Sequence, residues 1–178
     1  KQRRRRAPSK RHPRTAATQP SHATDAVWGS IYDGRDPTVP FFPDQSARYW
    51  RYAFERPAAD AVLRIKGTLV GARYQAVDLY DDETRTSIGA LNDSSLEAAH
   101  TVLLTERDDI DGTVVTPPED AEIVSVFFRL YVPDQPDLAG PLPVVDLLDP
   151  ETGESLPPPE PLPAPEVSEG LIGLLLAS

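Results

Sequence analysis

The sequence predicts an all-β chain: an antiparallel β-sandwich of jelly-roll type, with a disordered basic arm before it and an extended proline-rich tail after it. Three observations predict this. Short runs rich in β-branched and aromatic residues recur, separated by Gly, Pro and Asp clusters. The clearest run, Glu122 to Val132, alternates strictly: Val124, Val126, Phe128, Leu130 and Val132 share one face, while Ile123, Ser125, Phe127, Arg129 and Tyr131 share the other. Helical periodicity is confined to a scrap, SSLEAAH, around Leu96 to Ala99. Several short strands with almost no helix are the pattern of two packed sheets.

The elements follow in order. Residues 1–26 are basic, then rich in Ser, Thr, Ala and Pro, and lack any apolar period, so they form the arm. From Trp28 the segment WGSIYDGRDPTVPFFPD reads as a looped, partly extended entry. Strands are predicted over Tyr49–Glu55, Ala61–Gly67 and Arg73–Tyr80. After the acidic turn Asp81-Asp82-Glu83, further strands are predicted from Thr84, His100 and Gly112, then over Glu122–Val132 and in PVVDLL. The sandwich domain is thus 27–150. One apolar face and one mixed face on Glu122–Val132 fit a sheet with a semi-exposed outer side. Residues 151–178 form the tail. It has six prolines between Leu156 and Pro165, which impose an extended, polyproline-like course, and it ends in the apolar GLIGLLLAS.

Charge is divided as sharply as structure. The chain has 18 Lys and Arg against 28 Asp and Glu, and eight of the basic residues lie in the first fourteen positions, which contain no acid. An arm of +8 thus precedes a remainder of −18. There is no cysteine, which excludes disulfides, thiolate catalysis and zinc–thiolate sites. There is no methionine, even at position 1, which points to a processed form or a fragment. No stretch approaches the roughly 20 apolar residues that cross a bilayer. The arm has the charge of a secretory n-region, but no apolar h-region follows it.

Four pieces between Phe41 and Pro143 carry a family resemblance: FFPDQSARYWRYAFERPAADAVLRIKG, GARYQAVDLYDD, the ALND of Ala90–Asp93, and FFRLYVPD with GPLP after it. Together they resemble the bacterial domains known as DUF1214 and related secreted proteins. The resemblance implies an antiparallel β-sandwich and a secreted or cell-envelope location, and it implies no reaction. The chain departs from the pattern in an abbreviated stretch between Asp93 and His100.

Candidate sites are of five kinds. Arg3, Arg4, Arg5, Arg6, Lys10, Arg11 and Arg14 suit a polyanion, either nucleic acid with a steep salt dependence or anionic lipid headgroups; the other reading is a solubilising or targeting tail. Leu171, Ile172, Leu174, Leu175 and Leu176 suit docking on the protein's own body or on another subunit, in an oligomer or larger complex. Arg73, Tyr74, Asp78, Tyr80 and Asp93 suit a shallow cleft for a polar small molecule or glycan, because a strand face reading Tyr, Ala, Asp, Tyr is unusual for pure core. The alternative is that Asp78 pairs across strands with Arg73 or Arg129 and fixes register. Asp109 and Asp111, in DDIDG, have the alternation of a calcium loop without its distal Glu, and otherwise read as an acidic hairpin turn. His100 is either a general base or a polar residue at a strand edge. The acidic turn after Tyr80 offers carboxylates for glycosidase chemistry only if a partner sits across from them.

The functional expectation is a non-catalytic structural or interaction module whose ends reach partner subunits or a polyanion. Two alternatives stand beside it. One is a virion coat-type jelly roll with a genome-binding arm. The other is a binding protein or hydrolase using the Tyr74/Asp78/Tyr80 face.

Overall fold

The computed structural model describes residues 27–29, 32–33, 46–133 and 141–163; at 32, 33, 132 and 133 only the backbone is described. The candidate residues Arg3 to Arg14 and Leu171 to Leu176 lie outside the described residues.

Ten strands and no helix are found among the described residues. They are β1 (Tyr32–Asp33), β2 (Ala47–Glu55), β3 (Val62–Thr68), β4 (Ala72–Asp81), β5 (Ser87–Asn92), β6 (Ala99–Leu104), β7 (Thr113–Val115), β8 (Ile123–Pro133), β9 (Val144–Leu148) and β10 (Ser155–Leu156). They form two five-stranded sheets, ordered β1-β2-β8-β4-β5 and β10-β9-β3-β6-β7. All pairings are antiparallel except β6 with β7. The all-β expectation therefore holds.

One buried cluster draws on both sheets. The first sheet contributes Trp50, Tyr52, Phe54, Val77, Leu79, Val124, Val126, Phe128 and Leu130; the second contributes Leu63, Ile65, Val102, Leu104, Val115 and Val145. The period-two reading of β8 is exact in its inner face: Val124, Val126, Phe128 and Leu130 are fully buried. Burying side chains of this size stabilises by about 1.5–3 kcal/mol each, so this stripe fixes the strand's register.

The chain changes sheet in three residues between β3 and β4. Gln75, buried, holds that corner: its amide donates to Thr68 O at 3.0 Å and its Oε1 accepts from Val70 N at 2.9 Å. At one side of the sheets Gly89 of β5 meets Val115 of β7, where an added Cβ would lie 3.0 Å from the valine. At the opposite side Trp28 enters the cluster and donates from Nε1 to Pro143 O at 2.8 Å.

Three local expectations are corrected. SSLEAAH is not helical. It makes a single turn closed by Leu96 N donating to Asn92 O at 2.9 Å, because Asn92 and Ser95 side chains satisfy the turn and Leu96 drops into the core. DDIDG is not a hairpin turn. It lies in the connection from β6 to β7, which run parallel, so the chain loops back instead of reversing; Gly112, at φ 135°, takes the conformation that only glycine accepts readily. The outer side of β8 is less exposed than expected, since Ser125 and Phe127 are buried there.

Candidate functional site

The outer face of the first sheet gathers aromatic side chains from three neighbouring strands around one arginine. Register places them: Tyr49 of β2 and Ala76 of β4 both flank Arg129 of β8, while Tyr74 stands opposite Tyr131 and Asp78 opposite Phe127. Ala47, Tyr49 and Phe127 form a second buried cluster with Tyr80 and Tyr131 packed against it. The Arg129 guanidinium lies 5.1 Å from the Tyr49 ring centre and 5.7 Å from those of Tyr80 and Phe127. Such cation–ring contacts contribute about 0.5–2 kcal/mol each. Tyr80 stands edge-on to Phe127 at 5.7 Å, Tyr74 edge-on to Tyr131 at 5.5 Å, and the Tyr49 and Tyr131 hydroxyls share a 2.5 Å hydrogen bond.

Asp78 and Arg129 are the charged centre. Arg129 Nη2 donates to Tyr80 Oη at 2.9 Å. Arg129 Nε lies 2.9 Å from Asp78 Oδ2, an ion pair in which the N–H makes no aligned hydrogen bond. Burial pushes the Asp78 carboxyl above the ordinary carboxylate range, and the nearby guanidinium offsets only part of that push. The Tyr74 hydroxyl is also raised, first by burial and then by the Asp78 charge, with Asn92 and Arg129 pulling the other way and Asp93 adding to the rise.

Tyr74, Asp78, Tyr80 and Asp93 are therefore brought together. Arg73 is not: it is exposed and shares the parity of Gln75, Val77 and Leu79. Of the two cross-strand partners considered for Asp78, the structure supplies Arg129. The sequence reading omitted Tyr49, Phe127 and Tyr131 from this site. The signal was present in Phe127, Arg129 and Tyr131 at period two, but pairing with Tyr49 needs strand order, which periodicity does not encode.

The other candidates are held by local bonds. Asp81 closes its turn by accepting from Glu83 N, Thr84 N and Thr84 Oγ1, and the Thr84 bonds lead in holding its carboxyl below the ordinary range. Asp82 pairs with Arg51 at 2.7 Å and with Arg85 at 3.1 Å. Both Asp109 oxygens accept from Arg107, at 2.9 and 2.7 Å. Among the described residues no group of three His, Asp or Glu side chains converges as metal ligands do. His100 is buried on the core side of β6, over Gly67 of β3. Its Nδ1 donates to Glu97 O at 3.2 Å, which leaves Nε2 as a bare acceptor with no hydrogen-bond partner.

A second cluster forms where β2 meets the tail. Tyr52, buried in the core, sends its hydroxyl out to donate to Pro159 O at 2.7 Å, and Leu162 N donates to Ala53 O at 2.7 Å. Burial pushes the Tyr52 hydroxyl far above its usual value. On the same edge Gly29 N donates to Arg51 O at 2.8 Å, and the Trp28 ring packs edge-on to Tyr52 at 6.2 Å.

No family model matches the chain. No curated protein matches it either. Among solved structures it is similar to an uncharacterised protein from Burkholderia cenocepacia, with 16% identity, a TM-score of 0.47 and coverage of 60% of this chain and 31% of that one. It is also similar to the VPA0106 protein from Vibrio parahaemolyticus, with 15% identity, a TM-score of 0.40 and coverage of 56% and 30%. The chain thus spans less than a third of the length of either structure.

Proposed function

We propose that the protein is a non-catalytic interaction module: a β-sandwich scaffold whose two terminal segments engage partner subunits or a polyanion. The observation that carries this reading is the edge of β2. There Gly29 and Leu162 bind the alternate carbonyls of Arg51 and Ala53, so both terminal segments depart from one place on a self-sufficient core. The candidate cleft, by contrast, satisfies itself. Asp78 faces Arg129, and Arg129 is enclosed by three rings and the Tyr80 hydroxyl. We also read the chain as DUF1214-like. In support, Ala47–Trp50, Ala72–Tyr74, Ala90–Asn92 and Phe127–Tyr131 all fall on β2, β4, β5 and β8 of one sheet.

The test compares the full chain with forms lacking residues 1–14 or 170–178. Retention on a heparin column is expected to fall in salt-dependent fashion without 1–14, and deletion of 170–178 is expected to change either the sedimentation profile or surface attachment. Unaltered behaviour of both deletions would overturn the reading. The cleft reading is tested by Asp78→Asn. A self-satisfied site predicts an altered melting temperature and no change in the tyrosine fluorescence response to added oligosaccharides; a response that the wild type shows and the variant loses would favour the cleft.

A further inference from the structure

Tyr52 touches both terminal segments of the described chain: its ring packs against Trp28 and its hydroxyl binds Pro159. The carbonyls of Arg51 and Ala53, which receive Gly29 and Leu162, are two residues apart on one strand, a separation of roughly 7 Å. Thirteen residues run from Arg14 to Val27, and eight from Pro163 to Leu171. At no more than about 3.6 Å per residue, each segment reaches any surface lying against this edge.

The two segments differ in chemistry. One carries eight cationic side chains and no acid in its first fourteen residues; the other carries Leu171, Ile172, Leu174, Leu175 and Leu176. Nucleic acid rewards the first and has no use for the second. The surface of an anionic bilayer rewards both, because headgroups attract the cations while the acyl boundary takes up leucine. Neither feature suffices alone: a short apolar anchor is only marginally held, and stable attachment needs a second signal such as a polybasic patch. The apolar run is also far shorter than the roughly 20 residues that span a bilayer, so it suits insertion at the interface. Glu166 and Glu169 in the spacer oppose an anionic surface, but the arm outnumbers them fourfold.

We propose that Arg3–Arg14 and Leu171–Leu176, brought to the same edge of β2, act together as a two-part attachment to the surface of an anionic membrane. This rests on the reading of the termini as the functional parts and names their partner. Because the two segments share one rigid origin, engagement of one raises the effective concentration of the other.

The experiment is co-sedimentation of the full chain with vesicles of phosphatidylcholine, with and without 30 mole per cent phosphatidylserine. Binding is expected only to the anionic vesicles and is expected to weaken with salt. Deleting 1–14, and separately substituting Leu174→Asp with Leu175→Asp, is each expected to weaken it by about tenfold or more. Equal binding by the Leu174→Asp/Leu175→Asp protein would overturn the proposal, since the arm alone would account for attachment. So would a lipid-free sedimentation profile that changes on deleting 170–178, which would place the apolar segment between subunits. Retention on heparin that depends on 1–14, with no binding to either vesicle, would overturn the membrane and leave the termini as the functional parts. Loss of both would remove the functional reading as well.

Discussion

At the scale of single residues, position 67 is set by what lies above it. A Cβ there would sit 2.5 Å from His100 Nε2, and the imidazole is buried with its Nδ1 held by the Glu97 carbonyl, so the ring has no room to turn aside. Gly67→Ala is therefore expected to destabilise by about 1–3 kcal/mol through overpacking. The same substitution in a His100→Ala background is expected to cost clearly less, and a double-mutant cycle on thermal melts reads the difference; an equal cost in both backgrounds would refute the contact. Asp146 illustrates charge. Burial pushes its carboxyl up, but the bidentate Arg64 bond (2.9 and 2.7 Å), Ser155 Oγ and Lys66 outweigh that and leave it below the ordinary carboxylate range. A carboxyl lowered in the folded state adds stability above its unfolded value near pH 4 and loses it as pH falls. Asp146→Asn is expected to lose about 1–3 kcal/mol at neutral pH and to show a shallower fall in stability on acidification, measured by denaturant titration at several pH values. A parallel acid profile would contradict the assignment. Asp78 has the opposite sign: burial raises it, so its ionised form is disfavoured in the fold, and its cost grows as pH rises through the carboxylate range. None of these three roles is legible in sequence, because each depends on a partner that strand register supplies.

At the scale of elements, sequence carries most of what is found. The apolar alternation of Val124, Val126, Phe128 and Leu130 marks β8 within a residue at its start, and the β2, β3, β4 and β9 runs are marked as closely. The reason is burial: strands with one face in a common core must alternate. What escapes is pairing. Nothing in the run from Thr113 to Val115 announces that β7 lies parallel to β6, and the two-residue β1 and β10 are too short to show a period. The proline-rich stretch is legible as extended but not as docked, since prolines supply no donors and its anchors are the Leu162 amide and the Pro159 carbonyl. Sheet edges expose unpaired carbonyls that invite other chains; here Leu162 and Gly29 cover two of those on β2. Tyr52→Phe keeps the ring in the core and removes only the bond to Pro159. It is expected to cost about 0.5–1.5 kcal/mol and to speed amide exchange at Leu162 while leaving exchange at β8 unchanged. An unchanged Leu162 rate would show that the hydroxyl does not hold the strap.

At the scale of the whole molecule, the strap and the entry segment close the same side. Between the β1-β2 edge and the β10-β9 edge, Trp28 bonds to Pro143, and the chain from β10 crosses to Ala53. The boundary drawn from composition at residue 150 thus falls inside a set of contacts: Ser155 binds Asp146 and Arg64, Leu156 pairs with Leu147, Pro159 binds Tyr52 and Leu162 binds Ala53. Composition changes at Pro150 because proline suits a crossing that needs no ladder, not because the folded body ends there. A chain ending at Pro150 forfeits all of these bonds, whereas one ending at Pro163 keeps them. With net values of about 0.5–1.5 kcal/mol per bond, and the exposed ones at the low end, the shorter chain is expected to be less stable by about 2–4 kcal/mol. That is a large share of the 5–15 kcal/mol typical of a domain. Calorimetry on the two truncations reads it as a lower melting temperature for the shorter chain, still in a single cooperative transition because the shared cluster of both sheets is untouched. Coincident melts would mean that residues 151–163 merely rest on the surface, and the common origin of the two terminal segments would lose its structural basis.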